Sequence, residues 1–144
     1  MLTPVELKGV VEEATKRGYP VQPVELYLAN RIRKFSKRIL LINGWRCLVY
    51  NIKNTHAYGE HKYLVFEMTK SMLPMFDFLV VYTNQEKSCI YIVPKGVIAR
   101  EFRREGRRKM RFLIPQGGTT LWRSVNSTRG VTWNSYIDAW RLLG

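Results

Sequence analysis

Apolar and polar positions alternate in blocks along this chain. The best-defined pair of blocks spans residues 39–53, Ile-Leu-Leu-Ile-Asn-Gly-Trp-Arg-Cys-Leu-Val-Tyr-Asn-Ile-Lys. Asn43-Gly44 between two apolar runs predicts a β-hairpin, because a type I′ turn needs positive φ at both central residues. Its strands fall at 38–42 and 45–53. Along the second strand, Arg46, Leu48, Tyr50 and Ile52 share one face, and Trp45, Cys47, Val49, Asn51 and Lys53 share the other. Three further strand-like runs follow at 62–70, 76–82 and 88–93. Val80-Val81-Tyr82 and Ile90-Tyr91-Ile92-Val93 are apolar on both faces, as in a sheet covered by helices.

Helical patterning flanks this strand-rich centre. Thr3-Pro4-Val5-Glu6 reads as a capped helix start. Val10, Val11 and Ala14 form an apolar stripe, and Gly18 stands at the stop, predicting a helix over 4–17. Residues 24–35 predict a second helix opened by Pro23 and Glu25, with Leu26, Ala29 and Ile32 inward. Its basic end, Arg31, Arg33, Lys34, Lys37 and Arg38, would form an exposed positive ridge before the hairpin. A last helix capped by Thr132 or Asn134 would dock on the sheet through Trp133, Trp140 and Leu143. The expectation is an α/β fold of the α+β kind. It has a central mixed sheet of about four to six strands with an N-terminal and a C-terminal helix packed on it. Residues 1–144 form a single domain.

The connecting segments carry little chemistry of their own. Residues 54–61 read as a polar loop holding His56 and His61. Only Glu60 stands beside them, which is too few donors for a catalytic zinc site. Residues 71–75 read as a turn with Pro74. Gly117-Gly118 lacks the Lys-Ser/Thr ending of a phosphate-binding loop. Cys47 and Cys89 lie in strands without Cys-x-x-Cys spacing and read as buried, reduced thiols. No metal ligand set is expected.

Charge changes the picture more than any motif. Twenty-four Lys and Arg face eleven Asp and Glu, a net charge of +13. Such an excess repels itself in the folded state, and a polyanion relieves the repulsion. Eight of the seventeen residues 95–111 are cations: Lys95, Arg100, Arg103, Arg104, Arg107, Arg108, Lys109 and Arg111. Around Gly106, residues 97–102 and 110–114 read as two short strands or as a helix and a strand. Guanidinium groups at this density suit phosphate contacts through forked donors. Nucleic acid is the expected partner; Trp45 and Trp122 are candidate stacking rings, although core packing is the favoured use of both. The 46% hydrophobic content of this 144-residue chain supports a folded core. No apolar run is long enough for a bilayer, and the first residues lack a signal-peptide pattern. The expectation is a protein in the cytoplasm or otherwise inside the cell, with no membrane partner.

The order of helix, hairpin, strands and terminal helix resembles the PD-(D/E)XK nuclease superfamily. The pattern is nearest to small Holliday-junction-resolvase-like and homing-endonuclease-like members. Helix 4–17, with Glu12 or Glu13, is similar to the family's first helix, and 39–53 to its core hairpin. Phe76-Asp77-Phe78-Leu79-Val80-Val81 and Ile90-Tyr91-Ile92-Val93-Pro94 resemble its following strands. Tyr136-Ile137-Asp138-Ala139-Trp140-Arg141-Leu142-Leu143 resembles its last helix. Active members hold Mg²⁺ with an acid on the first hairpin strand and Glu-x-Lys on the second. Here those acidic positions fall on Ile39 and Leu48, and a shifted register leaves only Asn51-Ile52-Lys53. No carboxylate occurs between Glu25 and Glu60.

The resemblance therefore implies a nucleic-acid-binding protein, with DNA favoured, on a restriction-endonuclease-like fold that has lost its catalytic metal site. For such a protein the enzyme assignment stays open, leaning against activity, and no cofactor is expected unless it is active, when Mg²⁺ would serve. A homodimer fits by analogy with junction resolvases. The alternative is a Mg²⁺-dependent endonuclease or resolvase with relocated acids, Glu67 and Asp77, assisted by Lys70 and Lys53. A third reading is a protein-binding adaptor or inhibitor with a basic face.

Overall fold

The structure, a computed structural model, describes residues 7–27, 33–52, 55–58, 61–83, 89–106, 108–115, 120–122, 130–132 and 134–144. The chain is α+β, as its patterning implies. Helix α1 (Lys8–Lys16) leads into β1 (Val21–Tyr27), β2 (Arg33–Ile42) and β3 (Trp45–Ile52). Strands β4 (Thr55–Tyr58) and β5 (His61–Thr69) follow, then a 3-10 helix at Lys70–Met75, β6 (Phe78–Thr83) and β7 (Cys89–Pro94). Helix α2 (Lys95–Glu105) precedes β8 (Lys109–Pro115), β9 (Thr120–Trp122), β10 (Gly130–Thr132) and two 3-10 turns, Asn134–Tyr136 and Trp140–Leu143.

The hairpin is where the sequence puts it. Asn43 has φ 51° and Gly44 φ 85°, so both central residues take the left-handed conformation a type I′ turn demands. Ile42 pairs with Trp45 and Ile39 with Leu48. The first sheet runs in the order β1-β2-β3-β6-β7. β3 and β6 are parallel, with Cys47 opposite Phe78 and Tyr50 opposite Val81; the other neighbours are antiparallel. This mixed sheet is buried on both faces. Leu40, Ile42, Cys47, Val49, Val80 and Ile92 pack with Leu7, Val10 and Ala14 of α1 and with Trp140 and Leu143. On the opposite face, Ile39, Leu48, Tyr50, Leu79, Val81 and Val93 meet Phe66 and Met68 of β5, Ile98 and Phe102 of α2, and Phe112 of β8.

Three expectations are corrected. Within the expected helix 24–35, residues 24–27 and 33–35 are strand, and 28–32 lie outside the described residues: β1 pairs with β2, Val21 opposite Ile42 and Tyr27 opposite Arg33. The outer side of the hairpin offers an open hydrogen-bonding edge, and this tertiary ladder outweighs the weak helical spacing of the segment. Pro23 is accommodated because β1 is a sheet edge and its register shifts between Pro23 and Glu25. Within the expected loop 54–61, residues 55–58 and His61 belong to the antiparallel pair of β4 and β5, Tyr58 opposite His61, and residues 54, 59 and 60 lie outside the described residues. That pair belongs to a second five-stranded sheet, β10-β9-β8-β5-β4, where a single sheet was expected. The alternation of 62–68 and 110–114 lets one face of this sheet cover the first. The expected terminal helix is present as 3-10 turns. Trp140 and Leu143 are buried as anticipated, whereas Trp133 lies outside the described residues, as does the capping pair Thr3 and Glu6.

Long-range polar contacts lock the layers. Asn43 Nδ2 donates to the Leu143 carbonyl, tying the chain's end to the hairpin turn. Tyr50 reaches across with its hydroxyl to the Glu67 carbonyl at 3.1 Å, and its ring lies 5.2 Å from that of Phe66. Burial pushes the Tyr50 hydroxyl pKa up. Burial likewise pushes the Cys47 thiol up to about 12, so it is a packed, inert side chain.

Candidate nucleic-acid interface

The basic run 95–111 resolves into a helix and a strand. Pro94 in extended conformation ends β7 and opens α2, and Gly106 at φ 63° closes it, its N–H returning to the Phe102 carbonyl at 2.9 Å. Ile98 and Phe102 are buried against the first sheet, which fixes the inner face of the helix. Arg100, Arg103 and Arg104 then fall on the solvent side, three or four residues apart on one helical surface. Arg103 and Arg104 also sit in the last turn, where the helix dipole favours positive charge. Glu101 is only 4% exposed, and Arg104 Nη1 approaches its Oε1 to 3.8 Å. Arg100, Arg103 and Arg108 are exposed and form no ion pair among the described residues.

The strand half of the run behaves differently. Glu67 on β5 stands directly opposite Arg111 on β8, and Thr69 opposite Lys109. Strand alternation puts all three charged side chains on the outer face, away from Phe66, Met68, Met110 and Phe112. Arg111 donates through Nε at 3.1 Å and Nη2 at 2.7 Å to Glu67 Oε1, while Lys109 Nζ lies 3.0 Å from Oε2. The Arg111 hydrogen bonds, followed by Lys109, hold the Glu67 carboxyl below its ordinary range. The Lys70 N–H donates to the Arg108 carbonyl at 2.7 Å, which brings exposed Lys70 beside this cluster.

Asp77 is occupied elsewhere. Its Oδ2 accepts the Arg46 N–H at 2.9 Å and Arg46 Nε at 3.3 Å, and its Oδ1 accepts Nη2 at 3.1 Å. Arg46 Nη1 also donates to the Pro74 carbonyl. The Asp77 N–H donates to the Arg46 carbonyl, and the Asp77 carbonyl accepts from Lys95 N–H. The Arg46–Asp77 pair thus ties the start of β3, the 3-10 helix, the start of β6 and the first residue of α2. The Arg46 side chain lowers the Asp77 carboxyl pKa, and Asp77 raises that of Arg46.

Among the described candidate catalytic residues, Lys70 lies near Glu67, but Glu67 and Asp77 are not brought together by these contacts. Neither Glu67 nor Asp77 contacts the other, and each is neutralised by a guanidinium that a divalent cation would have to displace. Among the described residues no three His, Cys, Asp or Glu side chains group as a metal site requires. Lys53 lies outside the described residues. The donor set on view does not fit Mg²⁺, so no chemistry is routed through it.

The predicted ridge 31–38 also changes character. Arg33, Lys34, Lys37 and Arg38 lie on strand β2, not on a helix, and a strand sends alternate residues to opposite faces. Arg38 is exposed, its guanidinium 4.8 Å above the Tyr50 ring. Arg31 and Arg107 lie outside the described residues. Sequence reasoning missed the Arg46–Asp77 knot, whose partners are thirty-one residues apart without a local signal. Comparison with family models, with curated proteins and with solved structures gave no match.

Proposed function

We propose that this protein binds nucleic acid, with DNA as the favoured partner, through the outer face of α2 and its turn into β8. The observation that carries this reading is the trio Arg100, Arg103 and Arg108, exposed and without an ion pair among the described residues. An unpaired guanidinium offers a planar fork of donors that matches a phosphate. The helix that presents them is anchored by Ile98 and Phe102, so the cations are carried on a rigid element. The net charge of +13 adds a long-range attraction that raises the rate of encounter with a polyanion.

In this reading the contacts are to the backbone, with weak sequence preference. The sequence resemblance implies a nuclease-like core whose acids are replaced, and in this reading the remaining carboxylates serve structure. Glu67 and Asp77 already have cationic partners, which favours binding over metal-assisted cleavage. Fluorescence anisotropy with labelled DNA across a salt series tests the proposal. Affinity falls steeply with salt, with a log–log slope of about −0.9 per phosphate neutralised on duplex. An affinity independent of salt, or no retention at low salt together with a stable complex with an acidic protein, overturns it.

A further inference from the structure

Resting on the DNA-binding reading, we propose that Lys70 and Arg108 form a two-cation clamp for one backbone phosphate, which carries the DNA contact past α2 to the end of the second sheet. The ladder between β5 and β8 pairs Phe66 with Phe112, Met68 with Met110 and Thr69 with Lys109. The bond from the Lys70 N–H to the Arg108 carbonyl, at 2.7 Å, continues that register by one pair. Residues two apart along a strand leave from the same face. Lys70 and Arg108 therefore extend the row of Phe66–Phe112 and Met68–Met110. Those two pairs are buried, whereas Lys70 and Arg108 reach solvent.

The row lies on the side of the sheet that meets α2. Phe66, Met68, Met110 and Phe112 share a buried cluster with Ile98 and Phe102, and Met72 and Leu73 of the 3-10 helix pack against it together with Val97. Arg103 stands in the last turn of α2, and Arg108 follows the capping Gly106 by two residues. The clamp thus emerges where the helix bearing the exposed arginines ends. Glu67 leaves from the other face, with Lys109 and Arg111, and its carboxylate is taken by those two. Neither Lys70 nor Arg108 forms an ion pair among the described residues. Like charges set directly opposite each other destabilise a strand pair. A phosphate between them removes the repulsion and accepts from both the ammonium and the guanidinium fork. Lys70 then anchors a phosphate instead of assisting relocated acids.

The test is anisotropy of a labelled duplex across a salt series, with the full chain, Lys70→Ala, Lys70→Arg and Lys8→Ala. Lys8 is an exposed cation on α1, which covers the other face of the first sheet, so its removal changes net charge alone. Lys70→Ala is expected to make the salt slope shallower by about 0.9 and to weaken binding at low salt about five-fold. Lys70→Arg should keep the slope, and Lys8→Ala should change it by less than about 0.2. The melting temperature of free Lys70→Ala should not fall, because its main-chain bond to Arg108 stays and a like-charge pair is removed. An unchanged slope in Lys70→Ala overturns the clamp while DNA binding survives. An equal loss in Lys8→Ala also overturns it, since net charge then accounts for the effect. Inorganic phosphate in place of chloride, at equal ionic strength, is expected to leave duplex affinity within about two-fold. Displacement by phosphate in the full chain but not in Lys70→Ala gives the site to free phosphate and overturns its assignment to DNA. If the unmodified chain does not retain the duplex at low salt, the functional reading falls and the clamp falls with it.

Discussion

The two halves of one basic run differ in what opposes their charge. On α2, Arg100 and Arg103 face solvent and form no ion pair among the described residues. On β8, Lys109 and Arg111 converge on one carboxylate, Glu67, directly across the strand pair. The sequence reads the same in both halves, a dense string of cations. The difference lies in the partner strand. A helix presents its outer residues to solvent, whereas a strand presents them to whatever its neighbour carries in register. Cation density alone therefore overstates the available charge on β8 and measures it better on α2.

The most severe way to break the contrast is to remove the anchor of α2. Phe102 is buried against the first sheet, and Phe102→Ala should cost about 3–5 kcal/mol, measured by denaturant unfolding. Loss of DNA binding should accompany loss of the fold in that variant. The next largest effect is on binding itself. Arg100→Ala with Arg103→Ala should weaken DNA binding at low salt by at least about ten-fold and make the salt slope shallower by about 1.8. Its stability should stay within about 0.5 kcal/mol, since both side chains are exposed.

Asp77 sharpens the contrast from the structural side. Asp77→Asn weakens the Arg46 knot, with an expected cost of about 1–2 kcal/mol given its partial exposure. Because Arg46 lowers its folded pKa, the Asp77 contribution is fully present above the ordinary aspartate value and is lost as pH falls through the folded one. The melting temperature should stay level, as far as Asp77 is concerned, above about pH 5 and fall below about pH 4. Asp77→Asn should show a shallower acid fall. A pH profile identical in both proteins would refute the assignment.

The smallest effects belong to β8. Arg111→Ala should weaken DNA binding by less than about three-fold, because Arg111 is engaged by Glu67. Glu67→Gln should strengthen binding by about two- to three-fold by releasing Lys109 and Arg111. Glu67 stays ionised throughout the neutral range, its pKa being lowered, so the gain should not depend on pH between about 6 and 8. A loss of binding in Glu67→Gln would place Glu67 in a functional role and reverse the comparison.

Much of the architecture was legible before the fold was known, for local reasons. Asn43-Gly44 specifies its own backbone conformation, since few residues tolerate positive φ at both positions. The runs 80–82 and 90–93 are apolar throughout, and only a sheet covered on both faces hides such strands. Gly106 marks the end of α2 by its left-handed conformation. The site was less legible. Exposed arginines followed from composition, but which of them form no ion pair among the described residues did not.

What the sequence determined by itself is local: turns, strand periodicity, the both-face burial of the central strands and the total charge. What only the tertiary structure decided is pairing. Residues 21–27 and 33–37 became strand because the hairpin edge supplied a ladder that the segment's helical spacing did not reveal. Glu67 and Asp77 are ion-paired because Arg111 and Arg46, forty-four and thirty-one residues away in the chain, came into reach of them. Propensity and periodicity are properties of neighbours in sequence. A partner across a sheet is chosen by register, and register is set by the burial of whole faces at once.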